Sequence, residues 1–159
     1  MSHEKHTPQR EGQDGDGLSA DERAAIKQRA EELRSTRGLK GAARRSRELE
    51  AFLEVMESLS GSDATLAAHL HRVVSEEAPE LHPKTLYGFP AWADAEGKVV
   101  VFFQQAAKWG SRYGTVAFDE RARLDDGEMW PTAFALRAWS EDVETYLRRL
   151  VARAVGSES

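Results

Sequence analysis

The segment Pro83-Lys84-Thr85-Leu86-Tyr87-Gly88-Phe89-Pro90-Ala91-Trp92 places an ammonium, a phenol and an indole within ten residues. An ammonium and a phenol on a concave aromatic surface can hold an anion or a carbonyl. Pro83 and Pro90 fix φ and lack an N–H, and Gly88 reaches backbone angles closed to other residues, so the segment is built for a shape. The same ingredients recur in Lys108-Trp109-Gly110-Ser111-Arg112-Tyr113-Gly114. There Arg112 offers a fixed fork of donors and Lys108 a point charge. One expectation is therefore a pocket lined by Tyr87, Trp92, Trp109, Tyr113 and Trp130, with Lys84 and Arg112 holding an anionic group. The bland alternative is a strand with Lys84 solvated and Tyr87 half-buried, followed by a loop with cation–π stacking and no ligand.

Two acidic clusters offer oxygen ligands to a cation. Glu76, Glu77 and Glu80 stand at the end of a helix, near His69, His71 and His82, and Asp125, Asp126 and Glu128 share a turn before Trp130-Pro131. Carboxylates and imidazoles of this kind suit iron or zinc at a surface. The turn does not have EF-hand spacing, and His69 and His71, two apart on a helix, diverge. Against a metal stand a solvated turn in which the aspartates bond their own backbone, and histidines that are solvated or partly buried.

Other chemistries find no residues. The chain has no cysteine, which removes thiolate nucleophiles, Cys-ligated zinc and iron–sulfur clusters held by this chain alone. GxSxG, GxxxxGK[ST] and a GxGxxG opening a helix after a strand are absent, so neither nucleophilic catalysis nor nucleotide binding is indicated. A net charge of −5 argues against a general phosphate-backbone partner. The basic run Arg37, Lys40, Arg44, Arg45 and Arg47 is interrupted by Glu48 and Glu50 and reads as a solvated helix face. No apolar leader core and no apolar run long enough for a membrane span occurs, so a cytoplasmic protein without membrane contact is expected.

The elements that must position these groups follow from periodicity. Residues 1–18, with His3 and His6, are polar and Gly-rich and are expected to be a disordered tail. Ser19 with Glu22 forms a capping box, and Ile26, Ala30 and Leu33 recur at helical spacing toward Gly38. Leu49, Phe52, Leu53, Met56 and Leu59 mark a second helix before Ser60-Gly61-Ser62. A third helix, starting at Ser62 or Asp63, carries Leu66, Leu70, Val73 and Val74 inward until Pro79 closes it. All aromatics but Phe52 lie from Tyr87 onward, and the β-rich core is expected there. Val99 to Phe103 is a β-branched and aromatic run, and Asp94-Ala95-Glu96-Gly97 is turn chemistry for a hairpin from Pro90-Ala91-Trp92. Further strands fit Arg112 to Phe118 and Thr132 to Leu136. A helix capped at Ser140 shows Val143, Tyr146, Leu147, Leu150, Val151 and Ala154 on one stripe. Helices, then strands without crossover helices, then a helix predict an α+β fold, an antiparallel sheet of about four to five strands packed against helices.

The blocks Pro79 to Trp92, Gly97 to Phe103, Arg112-Tyr113 and Leu124 to Thr132 together resemble the YdhG-like family of unknown function over roughly residues 63 to 155. Its signature is Lys-x-x-Tyr/Trp-Gly-Met/Phe-Pro before a hairpin, here Lys84, Tyr87, Gly88, Phe89 and Pro90. The resemblance implies a curved antiparallel sheet covered by helices, placed at residues 62–156; the two helices read from periodicity at 19–61 form an N-terminal extension outside or at the margin of it. Some members are described as frataxin-like iron chaperones, which implies a non-enzymatic carrier with ferrous iron as cargo. The oxygen groups this chain offers such a cargo are those of the acidic clusters read above, Glu76, Glu77, Glu80, Asp125, Asp126 and Glu128, and none is carried over from the family. The alternatives are a small-molecule binding domain using Lys84, Tyr87, Gly88, Pro90, Trp92, Trp109, Arg112, Tyr113 and Trp130, and a surface for a protein partner or a second copy.

Overall fold

A computed structural model describes residues 17–157. The tail expected at the N-terminus, with His3 and His6, lies almost wholly outside the described residues. The elements are α1 (Ala20–Ser35), α2 (Gly41–Ser58), α3 (Gly61–Glu77), β1 (His82–Leu86), β2 (Phe89–Ala93), β3 (Val99–Gln104), α4 (Ala106–Trp109), β4 (Gly114–Phe118), β5 (Ala133–Leu136) and α5 (Glu141–Ala154). The strands form one open antiparallel sheet in the order β1-β2-β3-β4-β5. The fold is α+β, with helices before and after the sheet.

The helix ends follow local chemistry. Ser19 Oγ accepts from Glu22 N at 3.1 Å and Ser140 Oγ from Val143 N at 3.2 Å, each satisfying a donor that the helix itself cannot. The Asp94 to Gly97 turn closes as its residue types require: Asp94 Oδ1 accepts from the N–H of Glu96 and of Lys98 at 2.9 and 3.0 Å. The strand expected from Arg112 begins only at Gly114, because Arg112 and Tyr113 belong to the bend after α4. A short helix, α4, stands where a loop was expected.

Strand alternation sorts side chains between the two faces. Trp92, Val101 and Phe118 are register partners, as are Phe103, Val116 and Phe134, and they meet α3 and α5 in one core. Leu66, Leu70, Val73 and Val74 of α3 and Leu147, Leu150 and Val151 of α5 close it. Phe52 of α2 belongs to the same core, edge-on to Trp92 with ring centroids 5.7 Å apart. Burying a side chain of this size stabilises by about 1.5–3 kcal/mol. By contrast, α1 buries only Ala25, and its Ile26 and Leu33 are about half exposed. On the opposite face of the sheet, Lys84, Ala91, Phe102, Ala117 and Ala133 form a register row across all five strands. No helix among the described residues is long and apolar enough to cross a membrane.

Candidate functional site in the cleft beside the first hairpin

The Pro83 to Trp92 segment folds into β1, a two-residue turn and β2, with Leu86 paired to Phe89 across the turn. Tyr87 and Gly88 both have positive φ, +53° and +75°, the pattern of the turn whose twist suits a hairpin. Tyr87 is the one non-glycine residue in that region among the described residues. A left-handed conformation costs a residue with a Cβ about 1 kcal/mol or more. Gly88 has a second reason for lacking a side chain: a Cβ there would overlap Lys108 Nζ and Gln28 Oε1.

Both turn amides aim at one carboxylate. Glu32 of α1 accepts from Gly88 N at 2.8 Å on Oε1 and from Tyr87 N at 3.1 Å on Oε2. Lys108 Nζ donates to Tyr87 O at 2.6 Å and to Gln28 Oε1, and lies 4.9 Å from the centroid of the Phe89 ring. Burial pulls the Lys108 ammonium below the usual lysine range, and the charge of Glu32 opposes that pull. Gln105 Nε2 completes the frame by donating to Gly88 O at 3.2 Å. α4 reaches this place through Asp63 of α3, a buried carboxylate that accepts from Ala106 N and Ala107 N at 2.9 and 3.0 Å. An acid across the amino end of a short helix stabilises it by capping and by charge.

One turn away, Lys84 is buried, 7 % exposed, with Nζ 3.3 Å from Glu48 Oε2 of α2. The expectation of a solvated Lys84 is therefore corrected: α2 lies along β1 and covers it. The other oxygen of Glu48 accepts from Arg44 Nε at 2.9 Å. A narrow cleft of about 20 Å³ runs between α1, α2 and β1, lined by Arg29, Glu32, Arg44, Glu48, Lys84 and Thr85 among others. It adjoins a cavity of about 140 Å³ that shares Arg44 and Glu48 and adds Gly41, Arg45, His82, Asp94 and Glu96. In that cavity Asp94 and Glu96 are held by Arg121, at 3.7 and 2.9 Å.

The aromatics expected around Lys84 are not gathered there. Trp92 is in the core, stacked near His71, to whose Nδ1 its Nε1 donates at 3.2 Å. Trp109 packs on Phe89, a residue that strand alternation places on the face away from Trp92. Arg112 is exposed over the Tyr113 ring, 5.2 Å from its centroid, and Trp130 packs against the core. Pro90 is buried and Tyr87 is exposed at the turn. Of the residues expected to line a pocket, only Lys84 faces the cleft with its charge.

The acidic clusters are not assembled for a cation either. Arg148 of α5 takes Glu76 at 2.6 Å, Glu77 at 3.0 Å and Glu144 at 3.2 Å, and Arg72 also holds Glu144. Hydrogen bonds from Arg72 first, then from Trp139 Nε1 and Arg148, lower the Glu144 carboxyl to about 2. Asp125, Asp126, Glu128 and Glu80 are exposed. Among the described residues, no group of three or more His, Asp or Glu side chains is placed to hold a metal ion.

Glu32, Glu48, Asp63 and Gln28 were missed from the sequence, since they act on partners far along the chain. Their only local signal is a polar residue on an otherwise thin or interrupted helical pattern. No family model matches this sequence, and no curated protein and no solved structure shows significant similarity to it.

Proposed function

We propose that this chain is a non-enzymatic binding protein of the YdhG-like kind that its hairpin block resembles, and that its ligand is a small molecule with an anionic group. The charged group seats between the first turns of α2 and the β1–β2 hairpin. The supporting observation is a charge imbalance. Lys84, 7 % exposed and in the adjoining cleft, and Arg44 share the one carboxylate of Glu48, while Asp94 and Glu96 across the cavity are taken by Arg121. With Arg45, four cations therefore face three carboxylates, and the excess is one positive charge. A partly buried charge excess favours a counter-ion. Arg45 faces the adjoining cavity, and α2 starts there without a side-chain cap and with no acid in its first turn, so its unsatisfied amides add to the positive field. A volume of about 140 Å³ is below the usual range for drug-sized ligands and suits a phosphate- or carboxylate-sized group.

The test is a titration of the protein with inorganic phosphate at low ionic strength, followed by amide chemical shifts of Gly41 to Arg45 and His82. Saturable shifts are expected, weakened at least tenfold in the double variant Arg44→Met/Arg45→Met. Absence of any shift at those amides, or equal shifts in the double variant, overturns the proposal.

A further inference from the structure

We infer that the Tyr87–Gly88 turn is a carboxylate-binding site, filled in this structure by Glu32 of α1, and that a small organic carboxylate takes it when α1 lifts away. This site is separate from the cavity at the start of α2: its donors are backbone amides of the hairpin, and its walls are Lys108, Phe89 and α1.

Three observations carry the inference. First, the turn presents its amides as a pair. Two consecutive residues at positive φ, Tyr87 and Gly88, turn their N–H groups to the same side, and one carboxylate spans both at 3.1 and 2.8 Å. A concave array of successive amides in this conformation is a general anion receptor. Tyr87 adopts its left-handed angle although it is not glycine, so the receptor geometry is maintained against a local strain.

Second, the receptor has a framework of its own that does not involve Glu32. Lys108 is fixed beside the turn by Tyr87 O at 2.6 Å and by the Phe89 ring. Gln105, buried, donates to Gly88 O at 3.2 Å. Asp63 in turn holds the start of α4, which carries Lys108. The hairpin itself is paired along its whole length, from His82–Ala93 to Leu86–Phe89.

Third, the group now in the receptor belongs to a shallowly seated helix. α1 buries Ala25 alone, while Ile26 and Leu33 remain 51 % and 50 % exposed. Glu32 and Gln28 supply its polar contacts to the turn and to Lys108. A helix with so little apolar burial opens locally at small cost. Glu32 then acts as a tethered competitor, present at an effective concentration in the millimolar range typical of short linkages. An external carboxylate must exceed that level or bind a form in which α1 has lifted.

The experiment uses the full chain and acetate as probe, with chloride at equal ionic strength as the control, and reads the amide shifts of Tyr87 and Gly88. In Glu32→Ala, acetate produces saturable shifts at both amides with a midpoint roughly tenfold or more below that of the wild type, and chloride produces none. A second variant, Ala25→Asp, keeps Glu32 and places a charge where α1 packs. It speeds hydrogen exchange along α1 and lowers the acetate midpoint in the same direction. The inference is overturned if acetate leaves Tyr87 and Gly88 unmoved in a Glu32→Ala protein that retains its sheet dispersion. It is equally overturned if Ala25→Asp frees α1 and the acetate midpoint stays at the wild-type value. Phosphate shifts at Gly41 to Arg45 report the other cavity, so failure of one site leaves the result for the other readable.

Discussion

Lys84 Nζ and Glu48 Oε2 stand 3.3 Å apart, and the pair fastens the terminal strand of the sheet to the helix that lies along it. Both side chains are largely removed from water, 9 % and 15 % exposed. Breaking a buried pair from one side leaves an uncompensated charge, which costs more than losing both partners together. Glu48→Gln is therefore expected to destabilise by on the order of 3 kcal/mol in urea unfolding. The double variant Lys84→Met/Glu48→Leu should recover most of that loss. Equal losses in the single and double variants would mean that the pair contributes through packing of its stems rather than through charge.

The turn between β1 and β2 makes opposite demands at adjacent positions. Gly88→Ala meets both a φ of +75° and an overlap with Lys108 and Gln28, and should cost roughly 1–3 kcal/mol. Tyr87→Asn replaces a residue that resists φ of +53° by one that accepts it, and should raise stability by a few tenths to about 1 kcal/mol. Thermal melts of the two variants should move in opposite directions. A loss of stability in Tyr87→Asn would show that the tyrosine ring has a packing role that outweighs its backbone strain.

How far these relations were legible depends on the distance between partners in sequence. Ser19 with Glu22 and Ser140 with Val143 are local, and both caps could be read directly from residue type and spacing. The inward stripes of α3 and α5 and the Val99 to Phe103 strand were equally legible, because burial imposes the periods that the sequence shows. The site was not. Lys84 looks like a solvated or ligand-facing lysine until α2 is laid beside β1, and nothing near Glu48 or Glu32 in the sequence reports which amides or ammonium they will meet. α4 is held by Asp63, a residue of another helix, and its own four residues are too few to show a period. The aromatics misled for a related reason. Residue type marks them as large surfaces, but strand alternation sends Trp92 and Phe89 to opposite faces.

His71 gives the fold a dependence on pH. Burial lowers its pKa from 6.5, and its Nδ1 accepts from Trp92 Nε1, so the folded state favours the neutral ring. Between the lowered folded value and 6.5 the unfolded chain binds more protons than the folded one, and stability therefore rises with pH across that window. Glu144 acts in the same direction at lower pH. Its contribution is present above 4.5 and is lost as pH falls from there toward about 2. Urea midpoints measured at pH 7.5 and 5.5 should differ more in the wild type than in His71→Gln, with Trp92 emission reporting the transition. An equal pH dependence in the two proteins would assign the slope to other groups.

Arg148 decides whether the carboxylates of α3 face an ion or a side chain. Its guanidinium spans Glu76, Glu77 and Glu144, and these contacts hold its pKa above the usual arginine range. A divalent cation would have to displace that guanidinium, a planar fork already matched to the oxygens it binds. Arg148→Met removes the competitor and frees Glu76 and Glu77 at the end of α3, just before the turn that carries the exposed Glu80. Manganese should then broaden the amide signals of Glu76 to Glu80 in the variant at roughly the 10⁻⁴–10⁻³ M concentrations typical of weak oxygen-ligand sites. The wild type should remain sharp in the same range. Matching broadening in both proteins would show that Arg148 does not keep metal away, and would restore the helix end as a place for ferrous iron.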